Sequence, residues 1–209
     1  IIDEDSILQI METVGFEKIS INNRKLIKKN IRTKLDFNAI AKGYAVDVIS
    51  NYIESKGLLN YLIDIGGEIK SSGTNISKKD HWKIAINNPD FSNNNSFYKI
   101  LRLSNHSIAT SGNYRNFKID SITGNKYVHI LNPITGKSQQ TNILSASVVS
   151  SSCFKSDAFA TAMMASNLKN AISITENNND IESFIIYVDS LNNITDYASA
   201  GFKKLLIKP

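Results

Sequence analysis

Apolar positions along the 209-residue chain switch repeatedly between helical and strand spacing. Residues 5–14 carry them at helical spacing and stop at Gly15, a plausible helix end. FEKISI, KLIKKNI and TKLDF then read as short strands. In AIAKGYAVDVISNYIESKG, Ile40, Tyr44, Val48 and Tyr52 recur every four residues beside Ala41, Ala45, Ile49 and Ile53. That pattern predicts an amphipathic helix ending at Gly57. YLIDIGG reads as a buried strand running into a glycine pair, and EIKSSG, WKIAIN, YKILRLS, SIATSG, KYVHIL and LSASVVSS as further strands. SDAFATAMMAS, residues 156–166, is small and apolar enough to be a buried helix, and a second helix is expected over residues 168–174. SFIIYVD and FKKLLI close the chain as strands, and NNPDFSNNNS is a surface loop. There is no repeat and no long linker. Strand clusters around two main helices predict an α+β fold with mixed sheets, as a single domain over residues 1–209.

Composition narrows the class. Hydrophobic residues make up 42% and charged residues 21%, so a packed core is expected and global disorder is not. The longest apolar runs, such as FIIYV, are far shorter than a membrane span. The one cysteine, Cys153, allows no internal disulfide and reads as a small core residue. A net charge of +5 suits anionic ligands. The lysines are scattered and not interleaved with aromatics, so no nucleic-acid partner is expected. The chain opens IIDEDSILQI, without methionine or a signal-like segment, as though cut into a longer protein.

Five stretches hold chemistry. In SDAFATAMMAS, Asp157 and Thr161 lie four apart, on one helical face. Either Ser156 and Asp157 serve the helix start and Thr161 bonds back to a carbonyl, or the pair forms part of a hard-cation site. In LDFNAIAKGYAVD, Asp36 ends a strand, and Lys42 lies near a helix start where an anion would sit. Ordinary capping by Asp36 or Asn38, with Lys42 solvated, explains the same letters. The glycine pair of IDIGGEI permits positive φ or close approach of a ligand, and a simple turn needs it equally. In SIATSGNYRNF, Ser111 and Gly112 form either a phosphate-cradling turn or a plain one. In HILNPITGK, His129 stands on a strand and could take a proton from a hydroxyl, or be structural.

Taken in order, LDFNAIAKGYAVD, IDIGGEI, SIATSGNYRNF, HILNPITGK and SDAFATAMM resemble the FAD:protein FMN transferase family, also called ApbE or the thiamine biosynthesis lipoprotein family. The resemblance runs from about residue 14 to the end. It implies a mixed α+β fold and a magnesium-dependent transfer. FAD is cleaved at its pyrophosphate, FMN is attached through its phosphate to a threonine or serine of an acceptor flavoprotein, and AMP leaves. It further implies Asp157 and Thr161 as side-chain metal ligands and Ala39 as a backbone-carbonyl ligand. Asp36, Lys42 and Leu131 become FAD contacts, Ser111 and Gly112 line the flavin site, and His129 is the catalytic base. By the same resemblance the chain lacks an N-terminal portion, and the protein sits at the periplasmic face of the inner membrane, held by a lipid anchor outside this chain. The sequence departs from the family at Asn38-Ala39, where glycines are common. It departs again at Ala160, where some members have a second aspartate, and at Asn132, where aspartate is common. An FAD pyrophosphatase giving FMN and AMP, a flavin-binding protein without turnover, and a surface domain without flavin are the competing readings.

Overall fold

The computed structural model describes residues 3–89, 97–112, 117–119, 126–128, 131–137 and 141–207. In chain order the elements are α1 (Glu4–Met11), β1 (Ile19–Asn22), β2 (Lys25–Lys28), α2 (Ala41–Ser55), β3 (Tyr61–Ile65) and β4 (Glu68–Ser72). Then come β5 (Trp82–Asn87), β6 (Phe97–Leu103), β7 (His106–Gly112), β8 (Phe117–Ile119), β9 (Lys126–Val128) and β10 (Ile143–Ser150). The chain closes with α3 (Cys153–Met164), α4 (Leu168–Glu176), β11 (Ile181–Val188), β12 (Ile194–Ala198) and α5 (Ala200–Leu205). The α+β expectation holds, with α2 and α3 the two longest of five described helices.

Six strands form one antiparallel sheet in the order β12-β11-β10-β7-β4-β3. Both faces of its middle are covered. Along β11, Ile181 and Ile185 join Ala160, Met163, Met164 and Ala171 of α3 and α4 on one face. Phe184 and Ile186 join Ile84, Ile86, Leu101 and Leu103 of the β5–β6 hairpin, and Phe202 of α5, on the other. Strand side chains alternate between faces, so a strand buried on both sides reads as the unbroken run FIIYV. The third cluster, Val46, Tyr61, Ile63 and Cys153, ties α2 to the β3 side of the sheet.

Several expectations are corrected. FKKLLI is the end of helix α5, with only a single bridge from Leu206 to Leu101 beyond it. The cause lies elsewhere in the sequence: Glu182 Oε2 accepts the N–H groups of Gly201 and Phe202, capping the helix from a neighbouring strand. TKLDF is not a strand, and ITDYA, which the pattern did not suggest, is β12. The predicted apolar stripe of α2 faces outward, with Tyr44 and Tyr52 61% and 64% exposed. The buried face is Gly43, Val46 and Ser50, because α3 packs so close that only small or slim residues fit.

Two features of this frame prepare the site. Strand β4 pairs with β7 only from Ile69 to Ser71, so the end of β7, from Ala109 to Gly112, has β10 on one side and no described strand on the other. Helices α2 and α3 meet beside that gap.

Candidate active site

A cavity of about 1000 Å³ fills the gap. Asp36, Asn38, Ala39 and Lys42 reach it from the start of α2, and Asp64, Gly66, Gly67 and Glu68 from the β3–β4 turn. Ile84 to Asn87 border it from the hairpin, Ile108 and Thr110 to Gly112 from β7, Leu131 and Pro133 from the following loop, and Asp157 and Thr161 from α3. Every described residue singled out in the sequence, Asp36, Ala39, Lys42, Ser111, Gly112, Leu131, Asp157 and Thr161, therefore borders one space. His129 lies outside the described residues.

The local reasons are specific. Helix α3 begins at Cys153, three residues before the expected start at Ser156. Its N-cap is Ser152, whose hydroxyl accepts from the Lys155 N–H, so Asp157 is an interior residue and not a first-turn acid. That removes the capping explanation for Asp157, which is only 3% exposed. Its Oδ2 accepts the Gly43 N–H at 3.0 Å, and Thr161 Oγ1 lies 3.2 Å from Ser111 Oγ. Burial pushes the Asp157 carboxyl above its ordinary range, while the Gly43 bond and the Lys42 charge pull the other way.

The start of α2 is equally constrained. Its cap position is Ile40, which makes no side-chain cap bond. Asp36 does not cap the helix; its Oδ1 accepts the Asn38 N–H at 2.7 Å and the turn that follows borders the cavity. Gly43 is the third residue of the helix, so its N–H has no carbonyl acceptor within the helix, and Asp157 takes it. Ala39, one residue before the cap, borders the cavity.

Lys42 Nζ stands 2.7 Å from Glu68 Oε2. Glu68 is 2% exposed, and burial raises its carboxyl above the usual range; Lys42 lowers it and the Asp157 charge adds to the rise. The glycine pair makes a turn with φ of 63° at Gly66 and 100° at Gly67, and the Gly67 N–H donates to Asp64 Oδ1 at 2.9 Å. The turn requires positive φ at both glycines, and it borders the cavity. Ser111 and Gly112, expected in a turn, end strand β7, opposite Ala146 and Ser145.

The ApbE family profile matches residues 1–185 of this chain. It belongs to the ApbE family. Among curated relatives, the FAD:protein FMN transferase of Vibrio cholerae is 34% identical over 195 residues, covering 93% of this chain and 56% of the relative. That of Haemophilus influenzae is 31% identical over 196 residues, covering 92% and 55%. The chain thus spans a little over half the length of these relatives. Among solved structures, the Vibrio cholerae flavin transferase ApbE superposes with a TM-score of 0.85 at 31% identity, covering 98% of this chain and 63% of that one. The apo flavinyl transferase ApbE of Pseudomonas stutzeri gives 0.84 at 28% identity, covering 97% and 61%.

Within this ApbE chain the sequence reading missed the residues that hold the others in place. Glu68 was passed over beside its glycines; the available signal was an acid opening a short strand whose neighbours are apolar. Gly43 was passed over inside a helix, where an isolated glycine costs stability and so asks for a packing reason. A Cβ there would stand 2.7 Å from the Cys153 carbonyl carbon and 2.8 Å from Asp157 Cβ. Ile84 and Ile86 gave no signal beyond strand alternation, yet with Ile108 they form the apolar wall of the cavity.

The donor set is of the kind that suits a hard, oxygen-binding cation. Among the described residues no three His, Cys, Asp or Glu side chains gather as a metal cage. What borders the cavity is oxygen, in an incomplete set: the buried Asp157 carboxylate, the Thr161 hydroxyl and the backbone at Ala39, with the second buried carboxylate, Glu68, paired to Lys42. Magnesium is held this way, by one or two carboxylates, with waters and substrate phosphates completing the shell.

Proposed function

We propose that this chain carries the active site of a magnesium-dependent FAD:protein FMN transferase. FMN moves from FAD to a threonine or serine hydroxyl of an acceptor flavoprotein, and AMP is released. The observation that carries the reading is the convergence of the eight described candidates, from four separate stretches of sequence, on one cavity. The names of the relatives support flavin transfer as the reaction class.

Each wall of the cavity has a task. Ile84, Ile86 and Ile108 offer an apolar surface to a flat aromatic ring, and the Gly66-Gly67 turn lets backbone approach it. Lys42 brings positive charge to the phosphates and is kept in position by Glu68 until they arrive. Asp157, Thr161 and the Ala39 carbonyl would hold magnesium, which when bound neutralises pyrophosphate oxygens and makes phosphorus open to attack. His129 accepts the proton of the acceptor hydroxyl as its oxygen bonds to the FMN phosphorus. The bond from that phosphorus to the bridging oxygen breaks, and AMP departs with that oxygen. General-base assistance of this kind is worth about 10²–10⁴-fold. Placement at the periplasmic face of the inner membrane, through a lipid anchor outside these residues, belongs to the same proposal and rests on the family resemblance.

The test incubates the full natural chain with FAD, magnesium and an acceptor bearing the target threonine, and scores covalent flavin on the acceptor by in-gel fluorescence. Flavinylation that is lost in Asp157→Ala and His129→Ala supports the proposal. Free FMN forming at the same rate without acceptor would assign the chain as an FAD pyrophosphatase. Bound FAD without turnover, unchanged in His129→Ala, would assign it as a flavin carrier.

A further inference from the structure

Asp47 does not border the cavity, yet among the described residues its carboxylate is bonded at both oxygens. Its Oδ1 accepts the Cys153 N–H at 3.0 Å and the Lys70 ammonium at 3.1 Å. Its Oδ2 accepts the Ser152 hydroxyl at 2.7 Å and the Phe154 N–H at 2.9 Å. A side chain of α2 therefore closes the N-terminus of α3, where free N–H groups and the helix dipole favour a negative charge. One turn back on α2, the Gly43 N–H meets Asp157, which lies one turn on along α3. The two contacts form a ladder: residues 43 and 47 of one helix against 157 and 153 of the other. The absent Cβ of Gly43 permits the close approach, and Asp47 fixes how far α3 slides along it.

We infer that Asp47 is a positioning residue for the metal-binding face of α3. It sets the register of α3 on α2, so that Asp157 meets the Gly43 N–H beside the cavity that Ala39 also borders. The inference builds on the proposed function for its consequence, but the register itself is measured independently. Helix capping alone would require Asp47 for the stability of α3; the register role requires it for the Gly43–Asp157 contact as well.

The experiment uses Asp47→Asn and Asp47→Ala in the full natural chain, with Glu182→Gln as the control. Glu182 caps α5 by the same chemistry and borders no part of the cavity. Amide hydrogen exchange is followed at Gly43, referenced to core amides of β10 and β11, which report global stability. The expected result is exchange at Gly43 in Asp47→Asn faster by about tenfold beyond any acceleration that β10 and β11 share, because charge-assisted bonds are replaced by weaker ones. Glu182→Gln leaves Gly43 as in the parent. A parallel calorimetric titration with magnesium in the presence of FAD is expected to show affinity reduced by about tenfold in Asp47→Asn. If Asp47→Ala does not fold, Asp47→Asn decides alone. Gly43 exchange in Asp47→Asn that moves only in step with β10 and β11 overturns the inference and leaves Asp47 as a simple cap. A parent chain that takes up no magnesium overturns the functional reading, while the exchange result still decides the register.

Discussion

Asp47 and Asp157 face each other's helices across the same contact, and their surroundings push them in opposite directions. For Asp47, burial raises the carboxyl pKa, but bonds from Phe154, Ser152, Cys153 and Lys70 outweigh it, and the net shift is below the ordinary 3.8. Its contribution to stability is therefore complete above that value and lost as pH falls through the depressed one. For Asp157, burial wins and the net shift is upward from 3.8. In the metal-free chain its charge destabilises the fold once pH exceeds the raised value, and that cost is relieved as pH falls. Thermal melts of the metal-free chain, from neutral pH down to about pH 3, are expected to separate the two. Asp47→Asn melts below the parent at neutral pH and Asp157→Asn above it, and both differences shrink on acidification; shifts in the same direction would contradict this account. At Gly43 the argument is steric. Gly43→Ala places a methyl against the Cys153 carbonyl and Asp157 Cβ. The expected cost is about 1–3 kcal/mol in denaturant unfolding, and under the proposed function the displaced Asp157 should also lower flavin transfer. Cys153 itself is inert here: it is fully buried, and burial drives its thiol pKa far above the usual range.

Among the elements, the β5–β6 hairpin carries two roles at once, core and cavity wall. Ile86 is 3% exposed and belongs to the cluster with Phe184 and Phe202. Ile86→Ala is expected to cost about 2–4 kcal/mol by unfolding titration. It should also weaken FAD binding more than Lys42→Ala weakens binding of flavin alone, which a competition titration with riboflavin checks. Most elements were legible as segments: α2, β3, β4, β10, α3 and β11 lie where the letters place a helix or a strand. The failures have a common physical source. FKKLLI alternates like a strand, but Glu182 and the stacking of Phe202 on Phe184 at 5.3 Å make it a helix. The beginning of α3 was misplaced because its cap includes Asp47, which is 106 residues from Cys153. The outward stripe of α2 was misread because a periodic pattern shows that a face is apolar, not that a neighbour covers it. At the site, acids and alcohols at helical spacing were visible. Glu68, Gly43 and Asp47 were not, because their roles exist only once β4, α2 and α3 are together.

At the scale of the molecule, the apolar stripe of α2 lies away from the cores of this chain. Tyr44, Val48 and Tyr52 are all exposed. Tyr52→Glu is therefore expected to change the unfolding free energy of these residues by no more than about 0.5 kcal/mol, measured by denaturant titration; a larger loss would mean that the stripe is packed. The cavity, by contrast, draws on segments from Asp36 to Thr161, none of which contains a working site alone. The register of β4 on β7, the α2–α3 ladder and the hairpin must all be in place before the donors meet, and each is a contact between residues far apart in sequence. Such contacts form late, because the chain must close large loops before they are rewarded. In a refolding experiment, then, nucleotide capture should return with the last kinetic phase. A half-assembled intermediate would hold helices and strands yet have nowhere to seat a substrate, so the chain cannot begin chemistry before it has finished folding.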